Sequence, residues 1–143
     1  MIHFETSALC QAAFYRAFEL GDLEAMMAVW ATDADILCIH PMAPPTAGPI
    51  AIRNSWQEIF QGSLPRKFEI DQIGLIETAA LCIYTVFETI TLPLQRQRFT
   101  PLLATNVFRR GEHGWHLVLH HAGPQGIPET APFNIETPST TRH

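Results

Sequence analysis

The sequence has few charged residues and lacks clustered positive charge. Charged residues make up 16% of the 143 residues, and the formal net charge is −5. The basic residues group no further than short pairs, such as Arg109 with Arg110, and no pair extends into a patch. Binding to nucleic acid needs a patch of lysine and arginine, so we expect no nucleic acid partner. A sparsely charged surface is also typical of a chain that covers part of itself with a second copy.

The sequence also lacks a leader-like segment, a long apolar run and paired cysteines. Residues 1–5 contain no basic region followed by an apolar core, so we expect no secretory signal peptide. No apolar run approaches the ~20 residues of a membrane-spanning helix. Cys10, Cys38 and Cys82 are widely spaced within apolar segments, which is typical of buried, reduced thiols. These features predict a cytoplasmic protein with no membrane partner.

Apolar spacing in the first half predicts three helices. The first helix has apolar residues at i, i+3, i+4, i+7 and i+8, namely Cys10, Ala13, Phe14, Ala17 and Phe18. Gly21 suits the left-handed residue that ends a helix, and Asp22 can cap a second helix whose apolar stripe reaches Trp30. Pro49 suits the first position of a third helix, in which Trp56 faces inward.

The remaining segments read as strands. The predicted strands are Ile36–His40, Phe68–Ile76, Leu81–Leu92, Leu102–Arg110 and Trp115–Ala122. Helices gathered at one end of the chain and hairpins at the other predict an α+β domain over residues 1–123. We expect three N-terminal helices to pack on a strongly curved antiparallel sheet of about five strands, around an apolar cavity. Residues 124–143, rich in proline and threonine, are predicted to form a C-terminal tail.

Several short motifs, in order along the chain, resemble the SnoaL-like branch of the nuclear transport factor 2-like superfamily. The motifs are Gly21-Asp22, Trp30 with Asp33 and Asp35, Cys38-Ile39-His40-Pro41, Gly48-Pro49-x-x-Ile52-Arg53-x-x-Trp56, Thr105-Asn106-Val107-Phe108-Arg109-Arg110 and Trp115-x-Leu117-Val118-Leu119-His120-His121. The resemblance implies a cone-shaped half-barrel with an internal pocket and frequent homodimers. Members of the superfamily include ketosteroid isomerase-like and polyketide cyclase-like enzymes, dehydratases, and the association modules of calmodulin-dependent kinases.

The last hairpin has two distinguishable faces. A turn around residues 111–114 places Phe108 opposite Leu117 and Asn106 opposite Leu119. One face then carries Ala104, Asn106, Phe108, Trp115, Leu117, Leu119 and His121. The other face carries Thr105, Val107, Arg109, His116, Val118 and His120. The first face is bulkier and more apolar, so we expect it on the concave side, and the second on a convex side that meets water or a partner subunit.

This orientation yields a set of candidate site residues. His121 could exchange a proton near neutral pH, with His40 and Glu88 as further catalytic candidates. The predicted ligand-binding residues are Asn106, Trp56, Tyr84, Trp30, Phe108 and Leu119. A histidine at such a position could instead be a core residue satisfied by its neighbours, and the tryptophans could be core residues. His40, His121 and Glu88 are the only nominees for a metal site, which requires three or four converging ligands, so we expect no metal.

Two functions remain open. The first is an enzyme of the isomerase, cyclase or dehydratase type that acts by proton transfer on an apolar carbonyl compound, with no cofactor. Tyr84 and Glu88 are the residue types that an isomerase of the ketosteroid class uses. The second is a non-catalytic homodimer that binds a small apolar ligand or a partner. The kinase association modules have an arginine where this chain has Asn106, which makes a carboxylate ligand less favoured.

Overall fold

The computed structural model, which describes residues 2–62 and 64–126, contains three helices and a seven-stranded sheet. The helices are α1 (Ser7–Leu20), α2 (Leu23–Val29) and α3 (Pro49–Phe60). The strands are β1 (Leu37–Ile39), β2 (Thr46–Ala47), β3 (Lys67–Glu77), β4 (Leu81–Leu92), β5 (Gln97–Arg98), β6 (Leu102–Gly111) and β7 (Gly114–Pro124). The predicted α+β fold is confirmed, whereas most of the predicted tail lies outside the described residues.

The helix ends form where the local sequence predicts them. The Thr6 side chain accepts a hydrogen bond from the backbone N–H of Leu9, which caps α1 at its start. Gly21 ends α1 with a φ of 64°, the left-handed conformation that glycine adopts most readily. Asp22 then caps α2, and Pro49 opens α3. Local chemistry alone therefore determines these boundaries.

The sheet is mixed rather than purely antiparallel. Its strand order is β2-β1-β7-β6-β4-β3, with β5 beside β4. β1 runs parallel to β7, because the chain passes through α3 and two hairpins before it returns to this edge. The strand count exceeds the prediction of about five because β2 and β5, each of two residues, pair at the edges.

A β-bulge in β7 changes which residues face the helices. Phe108 pairs with Leu117 as predicted, but Val107 pairs with Leu119, so Val118 has no partner. Every side chain beyond the bulge changes face because alternation along a strand has a period of two. His120 is 1% exposed. The predictions that His121 and Leu119 face the cavity and that His120 faces outward are therefore wrong.

The bulge lies where β7 is paired on both sides. β7 pairs with β6 on one side and with β1 on the other, where Cys38 lies opposite His120. A bulge increases the local twist of a sheet. His116, which was also predicted to face outward, is buried because the N-terminal segment covers it. Its Nε2 donates to the Ile2 carbonyl oxygen at 3.1 Å, and Phe4 packs edge-on against its ring.

No helix within residues 2–62 or 64–126 is long and apolar enough to cross a membrane. The helices instead place their apolar faces on the concave side of the sheet. Phe14 and Trp56 are fully buried there, with their ring centroids 5.7 Å apart. The core ends where the sheet curves away from α1 and α3, and a cavity opens at that point.

Candidate functional site

A cavity of about 620 Å³ opens between the helices and the concave side of the sheet. The loop after β1 closes one side of it, and the ends of β4, β6 and β7 form its floor. The lining residues are Phe18, His40, Pro41, Ala43, Pro44, Thr46, Ser55, Glu58, Ile59, Glu88, Ile90, Leu102, His120 and Ala122. Its wall is mainly apolar, and the lining residues within the described chain include no lysine or arginine. This size and composition are typical of a small-molecule site.

Glu88 is a buried carboxyl group on the floor of this cavity. It is 2% exposed, and its Oε2 accepts a hydrogen bond from the Tyr15 hydroxyl at 2.6 Å. Burial raises the pKa of Glu88 to about 7, although the Tyr15 hydrogen bond opposes the shift. The protonated and ionised forms are then both populated near neutral pH. A carboxyl group in that condition can both accept and return a proton.

His120 lines the same cavity as a neutral imidazole. Its Nδ1 is 2.6 Å from Oδ1 of Asn106, and its ring centroid is 4.8 Å from that of Phe14. Burial lowers the pKa of His120 to about 3, and the positive forms of His40 and His121 lower it further. His120 therefore stays uncharged at neutral pH and offers a hydrogen-bonding group without a charge.

A buried hydrogen-bond network joins these two residues. The side-chain nitrogen of Asn106 donates to the Tyr15 hydroxyl at 3.0 Å and to Oε1 of Gln11 at 2.9 Å. The oxygen of the same amide faces His120. Burial and the neighbouring Glu88 raise the pKa of Tyr15, so its hydroxyl remains protonated. The network thus runs from Glu88 through Tyr15 and Asn106 to His120.

His40 forms the opposite side of the cavity. Its Nε2 lies 3.1 Å from the Ser55 hydroxyl, which itself donates to the Ile52 carbonyl oxygen at 2.7 Å. Because that hydroxyl proton is already used, the Nε2 of His40 carries the proton and donates to Ser55. Burial lowers the pKa of His40, so this imidazole also favours its neutral form. Its ring centroid is 6.5 Å from that of His120.

The structure brings together only part of the predicted set. His40 and Glu88 both line the cavity. Asn106 and Trp56 lie directly behind it: Asn106 contacts His120 through its amide, and the Trp56 ring centroid is 4.7 Å from that of His40. These four residues form one cluster around His120.

The other predicted residues lie elsewhere. Tyr84 faces the core, where its hydroxyl is 2.8 Å from that of Ser7 and its ring packs edge-on against Phe108. Trp30 is buried beside Leu117. Tyr84, Phe108 and Trp30 are core residues in this arrangement, while Leu119 and His121 point away from the cavity. Trp30 and Trp56 are both buried in the core.

Three residues of the network were not predicted: Gln11, Tyr15 and His120. Gln11 and Tyr15 are four residues apart on α1, so they lie on one helix face beside the apolar stripe. Two polar side chains four residues apart at the edge of an apolar helix face are a sequence signal from which both residues could be predicted. His120 faces inward only because of the bulge. The run Leu117-Val118-Leu119 is apolar throughout, so its sequence does not indicate which residue is the unpaired one.

The described residues offer no metal site, and the thiols of Cys10 and Cys38 are not activated. They contain no group of three or more histidine, cysteine or acidic side chains arranged to hold an ion. Burial raises the pKa of Cys10 and of Cys38 to about 12, so both thiols stay protonated at neutral pH. The ionisable groups with perturbed pKa values that line the cavity are therefore Glu88, His40 and His120.

Comparison with known proteins identifies both a family and several similar structures. A family model described as a SnoaL-like domain matches residues 9–125. No curated protein is significantly similar in sequence. A solved structure from Thiobacillus denitrificans, described as a candidate association domain of a type II calcium/calmodulin-dependent protein kinase, is 37% identical with a TM-score of 0.82. The match covers 88% of this chain and all of the other.

Two further structures carry enzyme-type descriptions. A candidate dehydratase of the nuclear transport factor 2-like family from Streptomyces avermitilis is 28% identical, with a TM-score of 0.75, over 85% of this chain and 94% of the other. A ketosteroid isomerase-like protein from Erwinia carotovora is 16% identical, with a TM-score of 0.61, over 81% of this chain and 91% of the other. At that identity the second match supports the fold alone.

Proposed function

The chain belongs to the family of SnoaL-like domains, and we propose that it is an enzyme that transfers a proton on an apolar carbonyl compound. The observation that carries the proposal is Glu88, a buried carboxyl group with a pKa of about 7 on the floor of a 620 Å³ apolar cavity. General acid–base groups work best when their pKa lies near the operating pH. Perturbed ionisable groups inside a cavity are typical of catalytic sites.

The geometry supports a simple cycle. The ionised carboxylate of Glu88 accepts a proton from a carbon next to the substrate carbonyl, and the C–H electron pair forms the carbon–carbon double bond of an enolate. The protonated carboxyl then returns the proton to the same carbon or to a conjugated one. Of the predicted residues Asn106, Tyr84 and His40, only His40 lines the cavity. The candidate dehydratase at 28% identity is consistent with chemistry of this class.

Proton exchange provides a direct test. We expect the protein to accelerate deuterium incorporation next to the carbonyl of apolar cyclic ketones such as β-tetralone in deuterium oxide, followed by proton NMR. The rate should rise through an inflection at about pH 7, because the ionised form of Glu88 is the base. A rate no greater than with heat-denatured protein, across ketones of one to three rings, would contradict the proposal. So would a flat profile through neutral pH.

A second function is favoured by one comparison. The Thiobacillus structure at 37% identity is described as a kinase association domain, and an association module needs a surface that pairs with another copy. The outer face of β4 and β6 offers such a surface, since it carries the half-exposed apolar residues Ile83, Phe87, Leu103 and Val107. We propose that the chain forms a homodimer through this convex face, whether or not it is an enzyme.

The substitution Leu103→Arg tests the dimer. Leu103 lies opposite Phe87 in the register of β4 and β6 and is 38% exposed, so an arginine there would bury an unpaired charge in the interface. We expect dimer dissociation to become easier by roughly hundredfold or more, measured by sedimentation equilibrium. Ile50→Arg, at an exposed position on α3, is the matched control and should leave the dimer intact. A wild-type monomer at high concentration would exclude this interface.

A further inference from the structure

We propose that Asn106 holds His120 in the tautomer protonated at Nδ1, so that its Nε2 lone pair faces the cavity and selects a neutral ligand that carries a hydroxyl group. The inference deepens the proposed function, because it assumes that the ligand occupies the same cavity. It assigns a specificity role to His120 and a positioning role to Asn106.

The tautomer follows from the donors and acceptors of the network. Both N–H bonds of the Asn106 amide are used, one toward Gln11 and one toward Tyr15. Reversing this amide would set its oxygen against the Tyr15 hydroxyl oxygen, whose single proton is already donated to Glu88. The Asn106 oxygen therefore faces Nδ1 of His120, at 2.6 Å. A carbonyl oxygen can only accept, so Nδ1 carries the proton and Nε2 of the neutral ring carries the lone pair.

The lone pair on Nε2 has no partner within the described residues. His120 lines the cavity, while Asn106, which binds its Nδ1, does not. Phe14 has no donor, and the indole N–H of Trp56 makes no hydrogen bond within the described residues, so neither neighbouring ring pairs with this nitrogen. In the wall of a mainly apolar cavity, a ligand hydroxyl that donates to Nε2 would gain affinity.

The charges around the cavity select against an anionic ligand. The titratable side chains that line it are Glu58 on α3, Glu88 on β4, His40 after β1 and His120 itself, with His121 next in sequence on the outer face. Two of these are acids and none is a lysine or arginine. Both histidines that line the cavity favour the neutral form. A neutral hydroxylated compound fits this wall, whereas a carboxylate or phosphate would meet acidic groups without a cationic partner.

The wild-type protein allows the first test, with no substitution. In protein labelled with ¹⁵N-histidine, we expect long-range NMR correlations to show Nδ1 of His120 protonated and Nε2 unprotonated at neutral pH. β-Naphthol should bind roughly tenfold or more tightly than β-methoxynaphthalene, which lacks the donor, and should shift the Nε2 resonance. A ring protonated at Nε2 would overturn the proposal, as would equal affinity for the two probes. Tighter binding of naphthoate would overturn the neutral-ligand part.

Two variants then separate positioning from general packing. Asn106→Leu removes the acceptor for Nδ1, so we expect the His120 ring to lose its single tautomer and the preference for β-naphthol to fall toward one. Gln11→Leu also removes a hydrogen bond of the Asn106 amide but keeps the contact with His120. It should retain the tautomer and the preference. None of these readouts requires turnover, so a protein that selects the hydroxyl but exchanges no proton would contradict the proposed catalysis alone.

Discussion

Replacing Glu88 by glutamine is expected to lower the rate of proton exchange by roughly 10²–10⁴-fold, the usual contribution of a general acid–base group. The amide cannot accept a proton from carbon, yet its oxygen can still accept the hydrogen bond that the Tyr15 hydroxyl now donates to Oε2. The measurement is deuterium incorporation into β-tetralone, with the pH profile recorded for both proteins. The inflection at about pH 7 should disappear in the variant.

The Glu88→Gln result needs a control variant and a check that the variant stays folded. Glu69→Gln alters an exposed glutamate paired with Arg98 at 2.9 Å, and it should leave the exchange rate unchanged. The pKa of Glu88 is raised from an ordinary 4.5 to about 7 in the folded state, so the wild-type free energy of unfolding falls as the pH rises through this interval. Glutamine does not ionise, so the variant does not lose this stability. The variant should therefore be at least as stable as wild type at mildly alkaline pH. An unchanged exchange rate in a folded Glu88→Gln protein would remove Glu88 from the mechanism.

Acid is expected to destabilise the protein by roughly 5 kcal/mol through His120 alone, an upper estimate from its pKa shift. The pKa of His120 is lowered from an ordinary 6.5 to about 3 in the folded state. Between these values the unfolded chain binds more protons than the folded one, so stability is lost progressively as the pH falls from 6.5 toward 3. The free energy of unfolding in urea, measured at a series of pH values, would show this slope.

His120→Gln isolates the contribution of this ring. The glutamine is neutral at all these pH values, so we expect the variant to lose less stability in acid than the wild type does. A smaller slope should remain, because burial also lowers the pKa of His40. The exposed His113 provides the control, since His113→Gln should follow the wild-type curve. Parallel curves for wild type and His120→Gln would mean that the folded protein accommodates a charged His120.

A site residue could be predicted when neighbouring residues in the sequence set its position, and not when contacts with distant residues set it. His40 is a candidate because it ends its strand just before Pro41, and Glu88 is a candidate because of its residue type, since both faces of its strand are apolar. Both residues line the cavity. His121 was chosen instead of His120 because hairpin parity was carried through a segment that contains a bulge. Tyr15 was overlooked because a tyrosine beside an apolar stripe is usually a core residue. Its partner, Glu88, is separated from it by 73 positions.

The sequence by itself determined the elements and their class. Helix caps at Thr6, Asp22 and Gly21 act within one turn of chain, and the change from helical to strand spacing is local as well, so the α+β architecture could be predicted. Only the tertiary structure decided which residues share the cavity. The parallel pairing of β1 with β7 accompanies the bulge at Val118, and the bulge turns His120 rather than His121 inward. That choice depends on contacts between strands far apart in the chain, which no local pattern records.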